Sequence, residues 1–369
     1  MGAETDGNYG NLACRDIDWS AFTHLIMFAL AAKQNGSIAY NNLVTSRRKP
    51  FNDIAHARGK PILVSVGGAG NTSFTSALTG AYRMNFVNSL LSVLDNDHYD
   101  GIDIDDESAV RSSNTKNYSS FIRQLWDSLQ TRHAYYDTTK KPLLTAAMIP
   151  SWGGKIFVEL EDKFDQINIM TYDMGGTWFG KTWHNNAVFS RTDGDVNDAD
   201  KDVHGEEMTT IQKRVEQQIK YGGNQARYGI GIDLYGYYWI GGAVEGTNMQ
   251  QGVTAPRQRW VKSYPPEVKP NIPFHRIQAE YLDTISAQNY RWDSTAQAPY
   301  LSIDKHDRLQ DVFVSFTDTV AVKQIVRYAK DNALGGIFIW EFGGGYLPPQ
   351  YSDRHRLLKA TKQALDSKN

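Results

Sequence analysis

Short apolar runs rich in β-branched residues recur along the chain, near Thr23–Ala31, Pro61–Gly68, Asp100–Glu107, Leu143–Pro150, Gln166–Tyr172, Tyr228–Tyr235 and Gly335–Glu341. Between most of them the apolar positions fall every third or fourth residue, at Met84–Leu94, Tyr118–Leu129, Met208–Tyr221, Val320–Ala329 and Arg354–Leu365. The first pattern is that of a strand and the second that of a helix with one buried stripe. Strand then helix, repeated without a second family of strands, predicts a parallel sheet with helices outside it.

The predicted fold is therefore α/β, a TIM (β/α)8 barrel, and a barrel of this kind commonly exceeds about 250 residues as one unit. One connection breaks the rhythm. From Trp239 to Phe313 the chain runs for about 75 residues, too long for a strand-to-helix loop. Trp260, Tyr264, Phe274, Tyr281, Tyr290 and Trp292 give it the aromatic content of a small packed unit. The expected division is a barrel over residues 1–238 and 314–369 with an insertion over 239–313, after the sixth of these runs, which is the seventh strand of a complete eight-stranded barrel. Such an insertion either walls a substrate groove or only stabilises the barrel.

The densest chemistry lies in YDGIDIDDE, residues 99–107. Side chains alternate along a strand, so Asp103, Asp105 and Glu107 are expected on one face with Ile102 and Ile104 on the other. Like charges and burial both disfavour the ionised form, and at least one of these carboxyls should keep its proton to higher pH than usual. A strand end that binds calcium or faces water is the alternative, and it leaves the alternation with the isoleucines unexplained.

DGxDxDxE resembles the signature of the glycoside hydrolase family 18 chitinases, and other motifs of that family follow in order. Ser65-Val66-Gly67-Gly68 resembles its SxGG strand, Met170-Thr171-Tyr172-Asp173 its MxYD strand, Tyr235-Gly236 its YG strand end, and Trp340 its closing tryptophan. The resemblance runs from about Asn11 to about residue 345, and IPFHRI and YRWDSTAQAPYL resemble pieces of the bacterial-type α+β insertion. It implies substrate-assisted, retaining cleavage of β-1,4-linked N-acetylglucosamine chains, with the sugar's own 2-acetamido group as nucleophile.

By that resemblance Glu107 is the acid and then the base, Asp105 holds the acetamido N–H, and Asp103 shares a proton with Asp105. Tyr172 holds the acetamido oxygen, Asp173 bonds the distorted sugar and Trp340 lies beneath it. Met170, Tyr235, Ser65 and Gly68 complete the expected substrate-binding set, with Met170 read as packing and Ser65 either backing Asp103 or saving space. Ala69, Asp106, Ser108 and Tyr237 depart from the family pattern, Ala69 where many relatives carry tryptophan and Tyr237 where many carry arginine. An endo-acting glycosidase on N-glycans or peptidoglycan would use the same acids. A weakly active or non-catalytic chitin-binding lectin would use the same barrel, although Glu107 argues against it.

A net charge of -2 disfavours a nucleic-acid partner. No apolar run approaches the length of a membrane span. Cys14, the single cysteine, excludes an internal disulfide. Aromatic residues make up 12% of the chain, and flat amphipathic rings suit sugars. The acidic stretch Asp193–Asp202 starts like a calcium loop but has Asp198 where glycine belongs and His204 where glutamate belongs, so no metal and no cofactor are expected. The expected partner is a chitin or N-acetylglucosamine oligosaccharide, met by a monomer. The resemblance implies an extracellular protein, yet MGAETDGNYG has neither the basic start nor the apolar core of a signal peptide. That opening also lacks a strand-like run, so a missing or incomplete first strand and an open seam at the N-terminal edge are expected.

Overall fold

The computed structural model describes residues 12–41, 43, 45–111, 115–191 and 198–367. Its strands are β1 (Leu25–Ala32), the two-residue β2 (Ile38–Ala39), β3 (Ile62–Gly67), β4 (Gly101–Asp105), β5 (Leu143–Met148), β6 (Gln166–Ile169) and β7 (Tyr228–Asp233). They continue with β8 (Tyr235–Ile240), β9 (Glu267–Pro273), β10 (Tyr290–Asp293), β11 (Ala298–Ile303), β12 (Val312–Ser315) and β13 (Gly336–Trp340).

The central sheet has the order β13-β7-β6-β5-β4-β3-β1, all parallel, with β2 antiparallel on the far end of β1. β3, β4 and β7 are buried along their whole length. Helices Gly80–Asp97, Thr115–Leu129, Ile211–Lys220 and Thr319–Asp331 lie between strands in sequence and Arg356–Asp366 follows the last one; each buries one apolar stripe, such as Leu90 and Leu94 or Phe121 and Leu125. The Asp318 carboxylate starts one of them by accepting from the Val320 and Ala321 amides, which have no partner inside the helix. A helix at Thr45–Ala57 escaped the periodicity because few of its residues are apolar and Pro50 lies inside it.

The sheet curls until its edges meet, but no ladder joins β1 to β13 among the described residues. Side chains span the seam instead. The rings of Phe28 and Trp340 meet edge to face at 4.5 Å, and those of Phe22 and Phe342 lie 5.1 Å apart. The open seam expected from the sequence agrees with this arrangement among the described residues, whereas the missing or incomplete first strand expected before residue 12 lies outside them. Within the curl a cavity of about 1370 Å³ runs from Glu107 and Tyr172 at one end to Lys60 and Asp165 at the other.

A second, antiparallel sheet of order β10-β11-β12-β8-β9 follows β7 directly. Tyr235, expected at the end of the parallel strand Tyr228–Tyr235, is instead the first residue of β8. Leu234 makes the corner: its N–H donates to the Trp340 carbonyl of the parallel sheet, and its carbonyl accepts from Phe274 beyond β9. This sheet spans Tyr235 to Ser315, and its Trp239 and Phe313 side chains pack with Trp260. None of the described helices is long and apolar enough to cross a membrane.

Candidate active site

Register places the acids. On the inner face Ser65 of β3 stands beside Asp103 of β4, which stands beside Thr145 of β5. Both hydroxyls donate to Asp103, Ser65 Oγ to Oδ2 at 2.9 Å and Thr145 Oγ1 to Oδ1 at 2.6 Å. One step along, Gly67 faces Asp105, and a Cβ there would come within 1.9 Å of the Asp105 carbonyl oxygen. Gly67 has φ +125°, so glycine is needed for conformation as well as for space. No hydrogen bond joins Asp103 to Asp105 among the described residues, and Asp105 Oδ1 is buried without a partner. The proton sharing implied by the resemblance is thus not seen as a contact: Asp103 is turned toward the two hydroxyls.

β4 ends at Asp105, and Glu107 projects from the bend that follows, half-buried at the cavity mouth. Asp106 points the other way and caps that bend, accepting from the amides of Ser108, Ala109 and Val110 at 2.8–3.1 Å. Burial raises the proton affinity of all four carboxyls. The rise at Asp105 is large, with Glu107 and Asp103 adding to it. At Glu107 burial is reinforced by the charge of Asp173 and opposed by Arg111.

The facing wall comes from Met170–Asp173, just past the end of β6 at Ile169. Buried Arg214, from the helix Ile211–Lys220, donates to the Met170 and Tyr172 carbonyls, and burial lowers its pKa to about 10. Thr171 exchanges hydrogen bonds with the Gly231 backbone on β7. Tyr172 packs edge to face on Tyr235 and Phe338, and burial raises the pKa of its hydroxyl well above the usual phenol range. Asp173 sits in the left-handed region at φ +53°. Its Oδ1 accepts from the Tyr235 and Tyr237 hydroxyls, each at 2.7 Å.

The remaining expected residues divide between lining and support. Trp340 at the end of β13 lines the cavity against Phe28. Met170 is buried in an aromatic cluster with Tyr172, Tyr235, Tyr237 and Trp239. Ser65 has its hydroxyl on Asp103, and Gly68 donates its N–H to the Asp105 carbonyl, with Phe28 where a side chain would go. Sequence reasoning passed over Arg214, Asn185 and Asp233. An aspartate ending the buried run GIGID was the one available signal. The described residues hold no group of three or more acidic, histidine or cysteine side chains able to bind a metal, and the acidic stretch Asp193–Asp202 lies partly outside them.

Carboxyls of raised pKa at the C-terminal ends of parallel strands, opening on an aromatic-lined cavity, form a candidate acid–base site on a TIM-barrel-like α/β fold. The chain belongs to the glycosyl hydrolases family 18, whose family model matches residues 3–345. It is 28% identical over 301 residues to chitinase A1 of Niallia circulans, covering 76% of this chain and 40% of that protein. It is 26% identical over 340 residues to chitotriosidase-1 of Mus musculus, covering 88% and 68%. The chain thus spans well under two thirds of the length of the first of these relatives. In structure it resembles the Group IV chitinase of Ostrinia furnacalis, with a TM-score of 0.77 at 18% identity, covering 99% and 97% of the two chains.

Proposed function

We propose that the protein hydrolyses β-1,4-linked N-acetylglucosamine chains, chitin and its oligosaccharides, with retention of configuration and with the substrate's 2-acetamido oxygen as nucleophile. The observation that carries this reading is Asp105 Oδ1, a buried carboxylate oxygen with no protein donor, beside the half-buried Glu107. A buried acceptor without a donor costs about 1–3 kcal/mol, and an acetamido N–H from the sugar satisfies it.

Glu107, kept protonated by burial and by Asp173, gives its proton to the leaving glycosidic oxygen. Asp105 orients the acetamido group and stabilises the positive charge that grows as its oxygen attacks the anomeric carbon. The Tyr172 hydroxyl holds the acetamido oxygen. Glu107, now a carboxylate, takes a proton from the water that opens the oxazolinium intermediate. Asp173 is an alternative nucleophile on the facing wall, but its Oδ1 is already bonded to two phenols, which weakens it in that role. Ser65 and Thr145 fix Asp103, whose negative charge raises the proton affinity of Asp105 and so lowers the net charge of the cluster.

Tyr235, Asn271 and Pro273 of the antiparallel sheet line the cavity, and we read the insertion as one wall of the substrate groove. A polymer of this kind is too large to enter a cell, so the reading implies work outside it. The test compares fully N-acetylated chito-oligosaccharides with their de-acetylated counterparts. Cleavage is expected only where an acetamido group occupies the sugar being attacked. Equal cleavage of both would overturn the mechanism.

A further inference from the structure

Behind Asp173 lies a buried polar group that the proposed chemistry does not use. Asp233, the last residue of β7, is fully buried. Its Oδ2 accepts from Asn185 Nδ2 at 2.6 Å, and its Oδ1 accepts from Asn186 Nδ2 at 2.7 Å and from Thr317 Oγ1 at 2.5 Å. Asn185 passes the contact on, since its Oδ1 accepts from the Asp173 backbone N–H at 2.9 Å. The Asn185 backbone is itself pinned, its N–H donating to Ser315 Oγ and its carbonyl accepting from the Met174 amide.

The geometry points to Asp233 as a positioning residue that acts on Asp173 through the amide polarity of Asn185. A carboxylate only accepts, so it admits one orientation of the Asn185 amide, with nitrogen toward Asp233 and oxygen toward Asp173. Asp173 needs such a hold because a non-glycine residue in the left-handed region stays there only when its surroundings fix it. The tyrosine pair fixes the carboxylate of Asp173, and Asn185 fixes its backbone. Three donors meet Asp233 and stabilise its charge, while burial opposes them and pushes its pKa up to about 6. An apolar side chain would fill the space but impose no orientation. This inference deepens the chitinase reading and rests on Asp173 meeting the sugar.

Asp233→Asn keeps the shape and removes the polarity. Its nitrogen must face either Asn185 Nδ2, a second donor, or Asn186, which would then turn its oxygen on the Gly231 carbonyl that its nitrogen now meets at 3.3 Å. Asn185→Asp sets two carboxylates face to face. The double swap, Asp233→Asn with Asn185→Asp, restores donor to acceptor at every step of the relay. On an N-acetylated chito-tetraose each single variant should lose about ten-fold or more in kcat, since small misplacements near the reacting centre have effects of this size, with KM changed far less. The double swap should return kcat to within about three-fold of the parent.

Hydrogen exchange of the Asp173 amide gives a readout independent of turnover, protected in the parent and the double swap and unprotected in the singles. Wild-type kcat in Asp233→Asn, or a double swap no better than the singles, overturns the relay. Should a single variant fail to fold, the double swap decides alone: recovery supports the relay and failure to recover contradicts it. A parent that does not cut the tetraose while the exchange pattern holds would sink the chitinase reading and leave the relay standing.

Discussion

Replacing Glu107 by glutamine lowers kcat on N-acetylated chito-oligosaccharides by about 10²–10⁴, the usual cost of deleting general acid–base catalysis. The amide matches the carboxyl in size and holds the same place at the cavity mouth, so the fold and sugar binding persist. It cannot release a proton to the leaving oxygen. In the proposed mechanism Glu107 serves in the protonated form for the first step, and burial together with Asp173 raises its pKa above the ordinary glutamate value. Activity of the parent therefore declines as pH rises through that raised pKa, and the residual activity of the variant lacks this alkaline decline. Steady-state kinetics across pH reads both effects. Undiminished kcat in the variant would remove Glu107 from the role.

Asp105→Asn has the second largest expected effect, a fall in kcat of about 10²–10³, the range found when one preorganised polar contact to developing charge is lost. In the parent, Oδ1 waits without a donor in a buried setting. An asparagine at this position either turns its own N–H₂ toward the acetamido N–H, a clash of donors, or keeps an oxygen there without the negative charge. Both leave the forming oxazolinium ion poorly stabilised while the sugar still fits. A rise in KM with kcat unchanged would show that Asp105 only binds the ground state and would contradict the assignment.

The strand-and-helix rhythm was legible because β3, β4 and β7 are buried on both faces and each outer helix on one, so burial is written directly into apolar spacing. The acids were legible for the same reason, since alternation along β4 puts Asp103 and Asp105 on the inner face. Alternation extends the expectation to Glu107 as well, but the strand ends at Asp105 and Glu107 projects from the bend after it, so its role rests on the family resemblance alone. Asp106 read as a departure from the family pattern, and it is the cap of the bend that projects Glu107. Tyr237 read as a lost arginine contact, whereas its hydroxyl grips Asp173 alongside Tyr235.

The supports of Asp173 were not legible, since Arg214, Asn185 and Asp233 come from three distant parts of the chain and meet only through the fold. A buried arginine on an amphipathic helix looks like a solvated one until its carbonyl partners are known. The corner at Leu234 was hidden as well. The run from Tyr228 reads as a strand ending at Tyr235, and only the Leu234 bonds to both Trp340 and Phe274 show that the chain changes sheets one residue earlier.

The account rests on attack by the substrate's own acetamido group, and the anomeric form of the first product tests it most directly. Proton NMR of a β-linked N-acetylated oligosaccharide, followed from the first minutes of hydrolysis, should show the new reducing end as the β-anomer, with α appearing only at the rate of mutarotation. An initial α-anomer would mean single-step inversion by a water from the opposite face, and would contradict substrate-assisted catalysis on this site.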